Sequence, residues 1–310
     1  MLMNFTKSEL FRVSRMKSAY VLPIIMIITV MFTSLMYMGV NKNVIGIEEE
    51  DLDNVSSSGL TVDDMSDSVE LGFNAGSGIS EDGTVEGEDE EEDKSFFGEG
   101  LWYNRSTDFM FYANVKGLDA LLFLSIFVGL FCGAIHNTGM DKNNLLASGH
   151  KNTLYAARAI TIGLYTLFFH FVTFAATILG VAIFGKSVRF VEGIGFVKYF
   201  VLSFILTYAF SMVIMLVGTF LKSQAAAITV GIILAAGVLT VLISFIDLFI
   251  KEVLKLEKIN LANVTLTQRL SLLNYDSSTA SIIRTLLVCA VVFTVVTLVH
   301  VFINRKRDLC

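Results

Sequence analysis

Six stretches of this chain each run for about twenty residues or more on almost nothing but apolar side chains: 19–40, 118–135, 157–184, 196–221, 225–250 and 281–303. Crossing ~30 Å of hydrocarbon at 1.5 Å per residue takes about 20 residues in a helix, so each run predicts a membrane span. The expected fold class is all-α: an integral membrane protein with six transmembrane helices, an N-terminal interfacial helix over 1–18 and a large acidic outer loop between the first two spans. Hydrophobic residues make up 54% of the 310, against roughly 45–50% apolar in soluble domains. The first run follows Lys7, Arg12, Arg15 and Lys17 and outlasts the 7–15 residues of a signal-peptide core, so it reads as a retained span.

Charge is segregated along the chain. Of 29 acidic residues, 19 fall between Glu48 and Glu99, where only Lys94 offsets them, so the net charge of −6 hides a basic membrane-embedded part. Lysine and arginine flanking the spans set orientation. Basic residues gather at the N-terminus, at Lys142, Lys151 and Arg158 between spans 2 and 3, at Lys222, and in the tail 304–310, which carries Arg305, Lys306 and Arg307. With six spans these segments share one side, expected to be the cytoplasm. The 41–117 segment and the 251–280 connection then face outward. Residues 41–100 combine low hydrophobicity with like charge and read as disordered. The segment 96–115, with Trp102, Tyr103, Phe109, Phe111 and Tyr112, suits a structured piece at the outer interface, and 251–273 suits short amphipathic helices.

GVAIFGKS, 180–187, fits the nucleotide-binding pattern G-x-x-x-x-G-K-[ST] at every fixed position. That loop works by aiming free backbone N–H groups at phosphates after a strand. Here the first five residues continue an apolar helix whose N–H groups are already committed. Lys186 also falls on the outer side, so the chain is not expected to hydrolyse ATP. Cys132 and Cys289 lie inside apolar runs and Cys310 ends the chain, a pattern that suggests neither a metal site nor a disulfide framework.

Among polar residues in or near the spans, His170 is deep, within FFHF, and a hydrogen bond to a neighbouring helix would account for it. Asp119, Asp247, Arg284 and His300 lie near predicted helix ends, where long side chains reach interfacial water. His170, Asp247 and Arg284 are the intramembrane polar candidates. Gly129 and Gly133 form a GxxxG match in the second run, a spacing that lets helices approach closely. On an N-terminal helix Ser8, Arg12 and Arg15 would share one face, with Leu10 and Val13 opposite.

The assembled layout resembles the ABC-2 type permease family, the membrane subunits of ABC exporters. KSELFRVSRMKSAYVLP, 7–23, is similar to that family's opening helix, and GAIHNTGMDKNNLLASGHKNTLYAARAI, 133–160, to its second cytoplasmic stretch. FLKSQAAAITVGIIL, 220–234, resembles its tight turn between the fourth and fifth spans. The resemblance implies a coupling loop, 136–156, that docks on a separate ATPase subunit through Asp141, Lys142, Leu145, Leu146, His150 and Lys151. The glutamate often found just before that loop is absent; His136 and Asn137 stand there. It also implies a second permease copy or paralogue, a bacterial plasma membrane, and a lipid, glycan, peptide or drug as cargo. No cofactor is expected on this chain, since ATP and magnesium would sit on the partner, and no nucleic acid is implied. The rival readings are a stand-alone channel or secondary transporter, which would need a polar stripe along several spans, and a membrane sensor or assembly protein using the acidic loop.

Overall fold

The computed structural model describes residues 2–44, 107–116, 119–138, 151–184, 188, 190, 193–221, 223–254, 262–274 and 277–306. Ten α-helices are described: α1 Leu2–Arg15, α2 Ser18–Val44, α3 Thr107–Lys116, α4 Asp119–Thr138, α5 Lys151–Phe184, α6 Ile194–Leu221, α7 Gln224–Ala235, α8 Val238–Leu254, α9 Leu266–Ser271 and α10 Thr279–Lys306. A single 3₁₀ turn, Ala262–Val264, precedes α9. Most of the acidic stretch, the loop residues 139–150 and the Gly185–Ser187 end of the nucleotide-loop match lie outside the described residues.

Four segments are long and apolar enough to cross a membrane: 18–35 of α2, 152–184 of α5, 194–221 of α6 and 279–303 of α10. Two further pairs reach that length only when joined across a bend, 110–116 with 120–134 at 50° and 224–235 with 238–250 at 54°. The chain is a multi-pass helical membrane protein with four to six candidate spans.

Single spans were expected over 118–135 and 225–250; the first is one helix, α4, which passes the length test only together with α3, and the second is broken into α7 and α8. The second break is explicit. Gly237 has φ +74°, a left-handed backbone that glycine adopts without a side-chain penalty. It closes α7 through Ala236 N–H to Ile232 O (2.8 Å) and Gly237 N–H to Leu234 O (3.1 Å). The first pair packs residues 107–116 into the bundle. Met110, Phe111, Tyr112, Asn114 and Val115 of α3 are all at most 2% exposed. Phe111 explains the burial: its ring lies 5.4–6.3 Å from those of Phe174 on α5 and Phe196, Tyr199 and Phe200 on α6.

Directions follow from the contacts. The Tyr165 hydroxyl reaches the Ala19 carbonyl and Gly180 abuts Ser34, so α2 and α5 run parallel. Thr166 meets Ser211 while Phe174 meets Phe196, so α5 and α6 are antiparallel. In α4, Gly133 faces Gln224 and Gly129 faces Ile228, so α4 and α7 are antiparallel too.

Lipid tails are as apolar as leucine, so helices in a bilayer associate through close packing rather than exclusion of water. The α4–α7 crossing depends on it. A Cβ at Gly129 would fall 3.0 Å from the Ile228 amide nitrogen, and one at Gly133 would fall 2.7 Å from the Gln224 Cα. Neither neighbour is the movable end of a side chain. Gly133→Val therefore forces the two backbones apart, with an expected loss of about 1–3 kcal/mol. Thermal unfolding of the purified variant in detergent checks this; a midpoint equal to that of the wild type would show that the crossing tolerates a side chain.

Candidate functional site

The first helix is amphipathic in an unusual sense. Leu10 and Phe11 are exposed, as are Ser8 and Arg15, while Glu9 and Val13 are buried. Leu10 and Val13 were expected on one apolar face and Arg12 on the opposite one. The structure instead turns Val13, Glu9 and Arg12 toward the bundle. A carboxylate, not a hydrophobe, is the most deeply buried residue of α1, at 2% exposure.

The cause is charge pairing. Arg12 Nη2 lies 2.9 Å from Glu9 Oε2, one helical turn away, and Arg158 Nε of α5 lies 3.6 Å from Glu9 Oε1. These are contacts at ion-pair distance; neither Glu9 oxygen has a well-aligned hydrogen bond. The Arg12 guanidinium also sits 4.2 Å above the centre of the Phe131 ring of α4, a cation–π contact. One carboxylate and two arginines therefore key α1 to both α4 and α5. The elbow between α1 and α2 is braced separately: the Tyr20 hydroxyl donates to the Ser14 carbonyl (2.7 Å) and Met16 N–H to Val13 O (3.0 Å).

The position of the network gives it meaning. Phe131 stands seven residues before the end of α4, and Arg158 seven residues after the start of α5. Each is two turns from the 139–150 connection, so α1 grips both arms that lead into it. The third span was expected to begin at 157, yet α5 is helical from Lys151. Its 34 residues make a rod of about 51 Å against ~30 Å of hydrocarbon, long enough for its first turns to project beyond the apolar layer. Arg158 stands in the third turn of α5, where pairing with Glu9 makes its burial tolerable.

Of the residues singled out for coupling, Asp141, Lys142, Leu145, Leu146 and His150 lie outside the described residues, as does the side chain of Lys151. The three intramembrane candidates are not brought together. His170 is 2% exposed between α5 and α6, with Phe200 and Phe204 edge-on at 5.8 and 5.9 Å and a hydrogen bond to the Thr166 backbone. Its Nε2 has no hydrogen-bond partner among the described residues. Asp247 is on α8 and 5% exposed. Arg284 is exposed near the start of α10. His300 is buried too, its ring stacked 4.0 Å from Tyr155.

Two features escaped the sequence reading. One is Glu9, whose signal was a lone acid three residues before an arginine in an otherwise basic helix. The other is a polar seam. Thr166, His170, Thr173 and Thr177 recur at helical spacing on α5, and Tyr199, Ser203, Thr207 and Ser211 do so on α6; all are buried. The two rows meet where Thr166 and Ser211 approach to 3.5 Å. Most of these hydroxyls donate to carbonyls of their own helix, three or four residues back. The threonine and serine hydroxyls of the seam are therefore largely satisfied within their own helices, and Asn114 joins it by donating from Nδ2 to the Thr177 hydroxyl. Among the described residues no group of three or more His, Cys, Asp or Glu side chains could hold a metal ion. No protein-family model, curated protein or solved structure matches the chain.

Removing one member of a buried ion network leaves the others without their counter-charge, at about 3–5 kcal/mol. Glu9→Ala is expected to loosen α1 by that order, read as faster protease cleavage within residues 2–15. Replacing Glu9, Arg12 and Arg158 together by methionine is expected to recover most of the protection. Equal cleavage of wild type and Glu9→Ala would mean that the network does not hold the helix.

Proposed function

We propose that this chain is the membrane-spanning permease subunit of an ABC-2 type exporter, moving its cargo outward with ATP hydrolysed by a separate subunit. The observation that carries this reading is the grip of α1 on both arms of the 139–150 connection. A motor pushing on that connection would move α4, α5 and α1 as one block, because Glu9, Arg12, Arg158 and Phe131 tie them together. A ligand shifts a conformational equilibrium only through contacts that differ between the two states. In this reading Asp141, Lys142, Leu145, Leu146, His150 and Lys151 supply those contacts to the ATPase.

The directions of the helices support six crossings. Parallel α2 and α5 require one return passage between them, which the α3–α4 pair supplies. Tyr155 near the start of α5 meets His300 near the end of α10, so α10 runs against α5 and with α6. One passage is then needed between α6 and α10, and the α7–α8 pair supplies it. Both termini would share the cytoplasmic side, in a bacterial plasma membrane, and a second copy or paralogue would complete the membrane half. The chain would hydrolyse no ATP itself: Gly180–Phe184 end a helix, and the space beside Gly180 is filled by Ser34.

The variant Leu145→Asp with Leu146→Asp is expected to lose copurification with an ATPase subunit while remaining monodisperse in detergent. Undiminished copurification would refute the docking assignment. A second reading, a stand-alone secondary transporter, draws on the buried seam with His170 at its centre. It predicts transport in sealed vesicles without nucleotide, abolished in His170→Leu; transport that requires both nucleotide and the ATPase rejects it.

A further inference from the structure

The corner formed by α3, α9 and α10 gathers three cations. Arg269 stands in the last turn of α9, a short helix that cannot shift freely. Thr265 caps it, and the Thr240 hydroxyl of α8 lies 2.7 Å from Thr267 and 3.0 Å from Thr265. Leu270 and Leu273, each 1% exposed, fasten the segment to the bundle. Arg284 lies on α10, against which α9 packs. A third cation, Lys116 at the end of α3, sits 5.2 Å above the Tyr112 ring, whose hydroxyl donates to Asn274 just beyond α9.

Three aspects of this corner are unfavourable as they stand. The Arg269 Nε is buried and has no hydrogen-bond partner among the described residues. Burial, and then the neighbouring charge of Arg284, hold the Arg269 guanidinium below the usual arginine range. Neither guanidinium is ion-paired among the described residues. Moreover, Arg284 stands near the positive end of the α10 dipole, and no acidic residue occupies the first turn of that helix. An oxyanion between the two guanidiniums would answer all three, because their planar forks match a phosphate or carboxylate.

The surroundings select the source of that oxyanion. Leu272, Ile283, Leu286 and Leu287 are exposed apolar side chains beside the two arginines, and the apolar span of α10 begins at Thr279. A headgroup at this depth would have its hydrocarbon alongside these side chains. We propose that Arg269 and Arg284 form an oxyanion site for the phosphodiester of a membrane phospholipid, with the acyl chains lying along Ile283, Leu286 and Leu287.

The test uses the full chain, delipidated in detergent and titrated in turn with dioleoyl phosphatidylglycerol, dioleoylglycerol and inorganic phosphate. Thermal midpoint and lipid retained in native mass spectrometry are the readouts. Phosphatidylglycerol is expected to raise the midpoint and stay bound, whereas dioleoylglycerol, with the same chains and no phosphate, should do neither. Arg284 is exposed, so Arg284→Gln should fold normally. It is expected to weaken the apparent affinity for phosphatidylglycerol roughly tenfold, the order of one charge-assisted hydrogen bond, and Arg284→Lys less. Retention that is equal for the two lipids, or unchanged in Arg269→Gln with Arg284→Gln, would overturn the site. A full midpoint shift with inorganic phosphate alone would overturn the lipid assignment and give the site to a soluble oxyanion.

Discussion

Inside a bilayer no water is present to satisfy an open backbone amide or carbonyl, and each one left open costs several kcal/mol. Every described element of this protein obeys that demand by being helical. Among the described residues the irregular points inside the apolar runs are correspondingly few. The α7–α8 break spends one glycine in a left-handed conformation and keeps the Ala236 and Gly237 amides bonded. Even the side-chain hydroxyls follow the rule, since most threonines and serines of α5 and α6 donate to carbonyls of their own helix.

Once the helices exist, shape decides how they assemble. Glycines at the α4–α7 crossing let two backbones come close, and the Phe111 ring lets α3 wedge among aromatic side chains of α5 and α6. These contacts gain dispersion energy that lipid tails would otherwise share. They also give the bundle stiff joints, a useful property in a protein proposed to pass motion from one face of a membrane to the other.

Charge enters at the ends of the bundle and does different work there. At the elbow, Glu9 lies at ion-pair distance from both Arg12 and Arg158, so that one face of a basic helix can be packed against the bundle. At the α9–α10 corner, by contrast, two arginines stand on packed helices with no such carboxylate paired to them among the described residues. The first arrangement draws its counter-charge from within the chain; the second is proposed to draw one from outside it.

Length and hydropathy alone determined that this chain crosses a membrane repeatedly as helices, because the cost of an unsatisfied backbone in hydrocarbon leaves an apolar run of twenty residues little other choice. The runs that became α2, α5, α6 and α10 were legible for that reason, and so was the short helical piece near 266–271. What was not legible depends on partners distant in sequence. Phe111 reads as one aromatic among several in 96–115, and nothing near it in sequence names the rings of α5 and α6 that surround it. Glu9 reads as one acid among basic residues until Arg158, 149 positions later, arrives beside it. The hydroxyls of 166–177 and 199–211 look scattered until two antiparallel helices set them face to face. Tertiary structure alone decided these matters, because the energy of a buried charge or a ring depends on which atoms lie within a few ångströms, and no periodicity along one helix specifies its neighbour.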